Sequence, residues 1–163
     1  PDLAEEMAAA GCRMVFLGLE SPEEEVLETY GKGFSTDLAV KASEILKRNG
    51  IRIWGSFIIG APGETRQMIR KTVADAKLLE PDIAEFSILT PFPGTALYEQ
   101  AEREGRIMTR DWSKYDGGHS VMRGDHLTQR EIALETIRAY ASFYLRPSRF
   151  GHVLDGLRRL LRH

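Results

Sequence analysis

Cysteine is nearly missing from this chain: its 163 residues hold one, Cys12. An internal disulfide is thereby excluded, and a reducing compartment is expected. There is no excess of positive charge either. Lys plus Arg number 22 against 24 for Asp plus Glu, a net charge of -2, which disfavours a dedicated nucleic-acid binder. Long apolar runs are also lacking, since none approaches the ~20 residues that cross a bilayer. The opening Pro-Asp-Leu-Ala-Glu-Glu-Met has neither the basic segment nor the apolar core of a secretion signal. The expectation is a cytoplasmic protein with no nucleic-acid or membrane partner. His119 and His126 share no metal-ligand spacing with other candidates, so they read as exposed loop residues and no metal ligand is assigned.

What is present is a core-forming chain, 42% hydrophobic and of single-domain length. It begins with Pro1 and enters a helical pattern at once, so it reads as a piece of something longer. Residues 3–10 favour helix and Gly11 stops it. Met14 to Leu17 is an almost wholly apolar run, the mark of a strand buried on both faces. Ser21-Pro22-Glu23-Glu24 has the N-cap, first-turn proline and capping-box glutamate of a helix start. A third helix is predicted after Ser35 or Thr36, with Leu38, Ala42, Ile45 and Leu46 at helical spacing up to Asn49-Gly50.

The cycle then repeats. A strand over 51–59 leads through Gly60-Ala61-Pro62-Gly63-Glu64 into a helix capped by Thr65, with Ile69, Val73 and Ala76 as its buried stripe and Pro81 as its stop. A third strand over 83–89 leads through Thr90-Pro91-Phe92-Pro93-Gly94 into a helix beginning near Thr95. Residues 108–126 read as irregular. Thr128-Gln129-Arg130-Glu131 is a capping box opening a long helix, with Ile132, Ile137, Tyr140, Ala141 and Tyr144 on one side. A basic amphipathic helix around Leu154, Leu157, Leu160 and Leu161 is expected to close the chain, with Arg158, Arg159 and Arg162 on its polar side. It packs on the barrel flank or touches an anionic surface. Strand, loop and helix in three rounds predict a parallel sheet with right-handed crossovers.

Alternation along strands assigns the faces. Glu20 shares a face with Gly18, Phe16 and Met14, Ser56 with Trp54 and Ile58, and Glu85 with Ser87 and Leu89. Closed barrels fill their interior with Val, Ile and Leu, so this polar set predicts a wet, ligand-holding face. The competing reading leaves Glu85 and Ser87 facing solvent on an edge strand. Glu20, at a strand's carboxyl end, is suited to accept two hydrogen bonds from a vicinal diol such as a ribose; otherwise it is a helix-dipole partner beside Ser21. Lys32, between two glycines, suits a ligand carboxylate or phosphate, or is a solvated loop lysine. The loops beginning at Gly60 and Thr90 allow close backbone approach to a flat or anionic group. Their spacing matches neither a P-loop nor a dinucleotide fingerprint.

The order Gly18-Leu19-Glu20-Ser21, then Lys32-Gly33-Phe34-Ser35, then Gly55 to Thr65, then Leu89 to Tyr98 resembles the second half of the radical S-adenosylmethionine (SAM) enzyme core. It is most similar to the branch in which a cobalamin-binding domain commonly comes first, a branch holding methyltransferases and anaerobic magnesium-protoporphyrin ester cyclases. The resemblance implies an α/β fold: 1–127 as the last three strands of a partial TIM-like (β/α)6 barrel, and 128–163 as a C-terminal helical extension. It places Glu20 near the SAM ribose, Lys32 near the methionine carboxylate and Ser56 at a ribose-contacting position. Ile58, Gly60 and Ala61 would line the adenine pocket, and Leu89 with Thr90 would close it. Implied cofactors are SAM, a 4Fe-4S cluster and, through another domain, cobalamin. The implied chemistry is reductive cleavage of SAM to a 5′-deoxyadenosyl radical that takes hydrogen from a small-molecule substrate, with methyl transfer or oxidative cyclisation as outcomes.

The chain departs from that family pattern at one decisive point. The family's CxxxCxxC is missing, and so is the glycine-rich motif for the methionine amine. Cys12, ahead of the first strand present, reads as a small hydrophobe. No catalytic residue is assigned, and the 163 residues alone are expected to be inactive. Two alternatives are a noncatalytic α/β binding or interaction module and a phosphate-binding barrel fragment of aldolase type. Half a barrel also leaves an edge that its other half should cover, so self-association there is expected.

Overall fold

The computed structural model describes residues 2–20 and 36–146. The capped segment after Ser21, Lys32 with its loop, and the basic segment after Arg146 lie outside the described residues. Three parallel strands stand in the order β1 (Met14–Glu20), β2 (Arg52–Ile59) and β3 (Ile83–Ile88). Helix α1 (Asp2–Ala9) precedes β1, and α2 (Thr36–Arg48) precedes β2. Helix α3 (Arg66–Leu79) joins β2 to β3, and α4 (Ala96–Arg103) follows β3. A 3-10 turn at Trp112–Lys114 and a long helix α5 (Gln129–Tyr144) complete the order.

The helix starts are where side-chain chemistry dictates them. Thr65 accepts from the Met68 amide and Thr95 from the Tyr98 amide, each relieving an orphan donor of the first turn. Thr128 and Glu131 form the reciprocal capping box that the sequence predicts. At the far end of α3, Glu80 takes a left-handed backbone (φ 47°) and returns its amide to Ala76, directly ahead of Pro81.

The sheet has one covered and one open face. Phe57, Ala84, Phe86 and Leu19 pack under Val73, Ala76 and Leu79 of α3 and Ala139 and Phe143 of α5. Gly55 lies on that covered face because a Cβ there would come 2.9 Å from Leu19 Cδ1. A neighbouring core joins Ala4, Leu46, Ile51 and Ile53, with Cys12 half-buried against it as a small hydrophobe and its thiol 3.6 Å from the Met14 carbonyl.

Two features depart from the sequence reading. The buried stripe of α5 is Ile132, Glu135, Ala139 and Phe143, while Ile137 is 65% exposed. A glutamate enters that stripe because Arg66 and Arg138 pair with its carboxylate at 3.0 and 2.6 Å. Tyr140 and Tyr144 flank the stripe and turn to the edge of β3. There the Phe86 amide donates to the Tyr140 hydroxyl (3.1 Å) and the Ala84 amide to that of Tyr144 (3.0 Å). The Ile88 amide donates to the Gly117 carbonyl. The outer edge of β3 is therefore covered by two tyrosine hydroxyls and the Gly117 carbonyl, while among the described residues no strand pairs with the other edge of β1.

Candidate functional site at the strand ends

Parallel strands deliver their following loops to one side, so the carboxyl ends of β1, β2 and β3 converge. β1 ends irregularly. Gly18 pairs with Ser56, yet Glu20 pairs with Phe57 rather than Ile58, so one extra residue is inserted. Simple alternation therefore fails at Glu20, which has a left-handed backbone (φ 55°) and is 8% exposed. A buried carboxylate on a backbone that non-glycine residues rarely adopt is the kind of local cost that accompanies function.

On β2, Ser56 is buried and Ile58 half-buried on the open face. The chain then turns at Gly60, whose φ of 85° suits glycine, and closes a tight turn in which the Glu64 amide donates to the Ala61 carbonyl at 2.9 Å. The carboxylate of Glu64, 2% exposed, reaches back and accepts from the Gly60 amide at 2.5 Å. This glutamate holds the loop in shape, a role that sequence reasoning missed. Its signal is a carboxylate four residues after a glycine in otherwise apolar surroundings.

The β3 end joins this loop directly. The Leu89 amide donates to the Ile59 carbonyl at 2.8 Å, and the buried Thr90 hydroxyl donates to the Ile88 carbonyl at 3.0 Å. Ala61 and Leu89 share one apolar group with Ile58, Met68, Leu97, Ala101, Ile107 and Met122. The structure thus brings Ser56, Ile58, Gly60, Ala61, Leu89 and Thr90 to one end of adjacent strands, with Glu20 one strand further. Lys32 lies outside the described residues.

The stretch over 108–126 is irregular, as read, and specific contacts hold it as a strap. Ile107 and Met122 form an antiparallel bridge, and the Asp125 amide donates to the Pro62 carbonyl at 2.7 Å. Arg106 grips Asp125 at 2.6 Å, and this hydrogen-bonded pairing lowers the Asp125 carboxyl below its ordinary range. Further along, Asp116 accepts from the Gly118 and His119 amides and pairs with the His119 ring at 2.9 Å. The His119 contact is the main cause of a lowered Asp116 pKa. His119 is exposed, as read from sequence, but it is anchored rather than loose. Among the described residues no group of three or more His, Cys, Asp or Glu is placed to hold a metal ion. No described helix is long and apolar enough to cross a membrane.

A parallel sheet with helices on one face and glycine-bearing loops at its strand ends is the architecture of α/β barrel-type proteins, the class that carries its ligands at the carboxyl ends of the strands. Residues 1–76 match the family model of the radical SAM superfamily. It is 41% identical over 145 residues to an uncharacterized methyltransferase of Pyrococcus horikoshii, covering 89% of this chain and 32% of that protein. It is 30% identical over 146 residues to bacteriochlorophyllide d C-8(2)-methyltransferase of Chlorobaculum tepidum (88% and 32% covered). It is 27% identical over 147 residues to the anaerobic magnesium-protoporphyrin IX monomethyl ester cyclase of Cereibacter sphaeroides (90% and 24%). The chain therefore spans about a quarter to a third of the length of these relatives.

Among solved structures, the radical SAM methyltransferase TsrM of Kitasatospora setae, with tryptophan and a SAM analog bound, matches with TM-score 0.57 and 28% identity. That match covers 66% of this chain and 21% of TsrM. Another TsrM structure holds cobalamin and a [4Fe-4S] cluster. Coproporphyrinogen III oxidase of Escherichia coli shares the fold, with TM-score 0.63 at 14% identity over 88% of this chain and 29% of that one.

Proposed function

We propose that this chain is the C-terminal half of a radical SAM catalytic domain and that its strand ends form the protein's half of a SAM site. The reading rests above all on one observation: Ser56, Ile58, Gly60, Ala61, Leu89 and Thr90 converge at the carboxyl ends of two hydrogen-bonded parallel strands. Residues 1–127 are read as the barrel part and 128–163 as a helical extension.

The residues present suit SAM. Ile58, Ala61 and Leu89 offer an apolar wall for a flat purine, and the left-handed turn at Gly60 brings backbone rather than side chain to it. Ser56 and the buried Glu20 carboxylate suit the ribose hydroxyls, and Lys32 suits the methionine carboxylate. Bound there, SAM supplies the adenosyl radical or methyl group for the reaction. The chain's own work is positioning: a loop fixed by Glu64, and a strap anchored by Arg106 and Asp125 that limits water access.

The same residues do not suit the iron-sulfur cluster. A CxxxCxxC motif supplies three thiolates, and the 163 residues contain Cys12 alone, packed in an apolar core. The cluster ligands, and any cobalamin domain, are proposed to lie in other parts of the full-length protein, and these residues by themselves are proposed to be inactive. A small-molecule substrate, processed by methyl transfer or cyclisation, is the expected partner. Anaerobic reconstitution with iron and sulfide tests the reading: the full-length protein should gain a 4Fe-4S absorption band and cleave SAM on reduction. A stoichiometric band on the 163 residues alone would overturn it. A full-length protein without CxxxCxxC would favour a noncatalytic binding module.

A further inference from the structure

The open face of the sheet carries a group of side chains that the SAM assignment leaves unused. Phe16 and Trp54 meet edge to face, ring centroids 5.8 Å apart and planes at 65°, and are 60% and 38% exposed. The Trp54 Nε1–H donates to Glu85 Oε2 at 3.0 Å, and the Ser87 hydroxyl donates to Glu85 Oε1 at 3.2 Å. In register, Glu85 lies opposite Ser56 and Ser87 opposite Ile58, so these two stand one strand away from residues assigned to SAM, and Trp54 lies on the same strand as those residues. Gly117 of the strap packs over it, where a Cβ would come 3.5 Å from that of Ser87.

Charge decides what such a place accepts. A carboxylate offers about four acceptor positions, and Trp54 and Ser87 fill two of them with neutral donors. Among the described residues no cation is paired with Glu85. An anionic ligand would meet repulsion, and a wholly apolar one would strip water from a charge without replacing it. A ligand with a cationic nitrogen would complete the carboxylate's hydrogen bonds, and the aromatic pair beside it attracts both cations and flat apolar rings. The two donors hold Glu85 on rigid strands, so little side-chain ordering remains for binding.

We propose that Trp54, Glu85 and Ser87 form a substrate subsite on the open face that selects a cationic nitrogen carried by an aromatic body. The inference rests on the strand ends being the SAM site, because it places this ligand beside SAM. It goes beyond that reading in naming the charge and shape of the substrate.

The full-length protein, labelled with 15N-tryptophan, supplies the test. The Trp54 Nε1–H resonance, assigned with Trp54→Phe, is followed during titration with tryptamine and benzamidine, and with their anionic counterparts indole-3-propionate and benzoate. The cationic probes should shift that resonance saturably and the anionic ones should not. Glu85→Gln should weaken cation binding at least tenfold, and Ser87→Ala, which keeps the charge, several-fold. SAM affinity, titrated in parallel, should stay unchanged in both variants. Equal responses to both probe classes, no response to the cations, or cation binding that survives Glu85→Gln in a folded variant would each overturn the subsite. Absence of SAM binding in the parent protein, with cation selectivity intact, would instead overturn the SAM assignment. Should Glu85→Gln fail to fold, unchanged cation affinity in Ser87→Ala decides against the proposal.

Discussion

The Glu64 carboxylate accepts a hydrogen bond from the amide of Gly60, four residues before it, with both residues buried. The bond closes the loop after β2 from the inside and fixes the backbone assigned to the purine. Glu64→Ala should leave that buried amide unpaired, costing about 1–3 kcal/mol. Faster hydrogen exchange at Gly60 and a lower Tm should accompany weaker SAM binding in the full-length protein. Unchanged exchange at Gly60 would remove Glu64 from the loop's support.

Gly60 itself disfavours any side chain. Its φ of 85° is unfavourable for other residues, and a Cβ would lie 3.0 Å from Ile132 Cγ2. Gly60→Ala should destabilise by at least the roughly 1–2 kcal/mol of a left-handed backbone, read by urea unfolding. A variant as stable as its parent would contradict the geometry.

At the sheet edge, the Tyr144 hydroxyl accepts from the Ala84 amide and donates to the Ala84 carbonyl at 2.9 Å. Tyr140→Phe with Tyr144→Phe removes the hydroxyl partners of two edge amides while keeping the rings. The double variant should lose about 1–3 kcal/mol and should self-associate through β3 at concentrations where its parent does not, measured by sedimentation. If association is unchanged, the tyrosines are not what seals this edge.

Glu131 gives α5 a pH-dependent start. The Thr128 amide and hydroxyl, with Arg66 nearby, hold its carboxyl below the ordinary glutamate value. Because the folded value is depressed, the stabilisation is present above the unfolded value of about 4.3 and is lost as pH falls through the lowered folded value. Hydrogen exchange in the first turn of α5 should accelerate over that acid range, and Glu131→Gln should flatten the dependence. Thr128→Ala should cost about 1 kcal/mol at neutral pH, read by thermal unfolding.

Much of this was legible in the sequence because local chemistry decides it. Thr65, Thr95 and Thr128 announce helix starts through their own hydroxyls, and apolar runs separated by glycine loops announce parallel strands. What escaped depends on contacts distant in sequence. Glu135 enters a buried stripe with Arg66 arriving from α3 to join Arg138 of its own helix, and the Tyr140 and Tyr144 hydroxyls find their partners on β3. The strap over 107–125 has no hydrophobic period to reveal it, since its order comes from Arg106, Asp125 and the Pro62 carbonyl. Glu20 obeyed its strand's alternation in sequence but not in space, because one inserted residue shifts the register after Gly18.

The most direct measurement is calorimetric titration of SAM into the full-length protein and into Glu20→Gln, Ser56→Ala and Ala61→Phe variants, each verified as folded. Saturable SAM binding in the parent is predicted, weakened several-fold by Ser56→Ala and tenfold or more by Glu20→Gln and Ala61→Phe. Affinity that stays the same across all three variants would contradict the assignment of these strand ends to SAM.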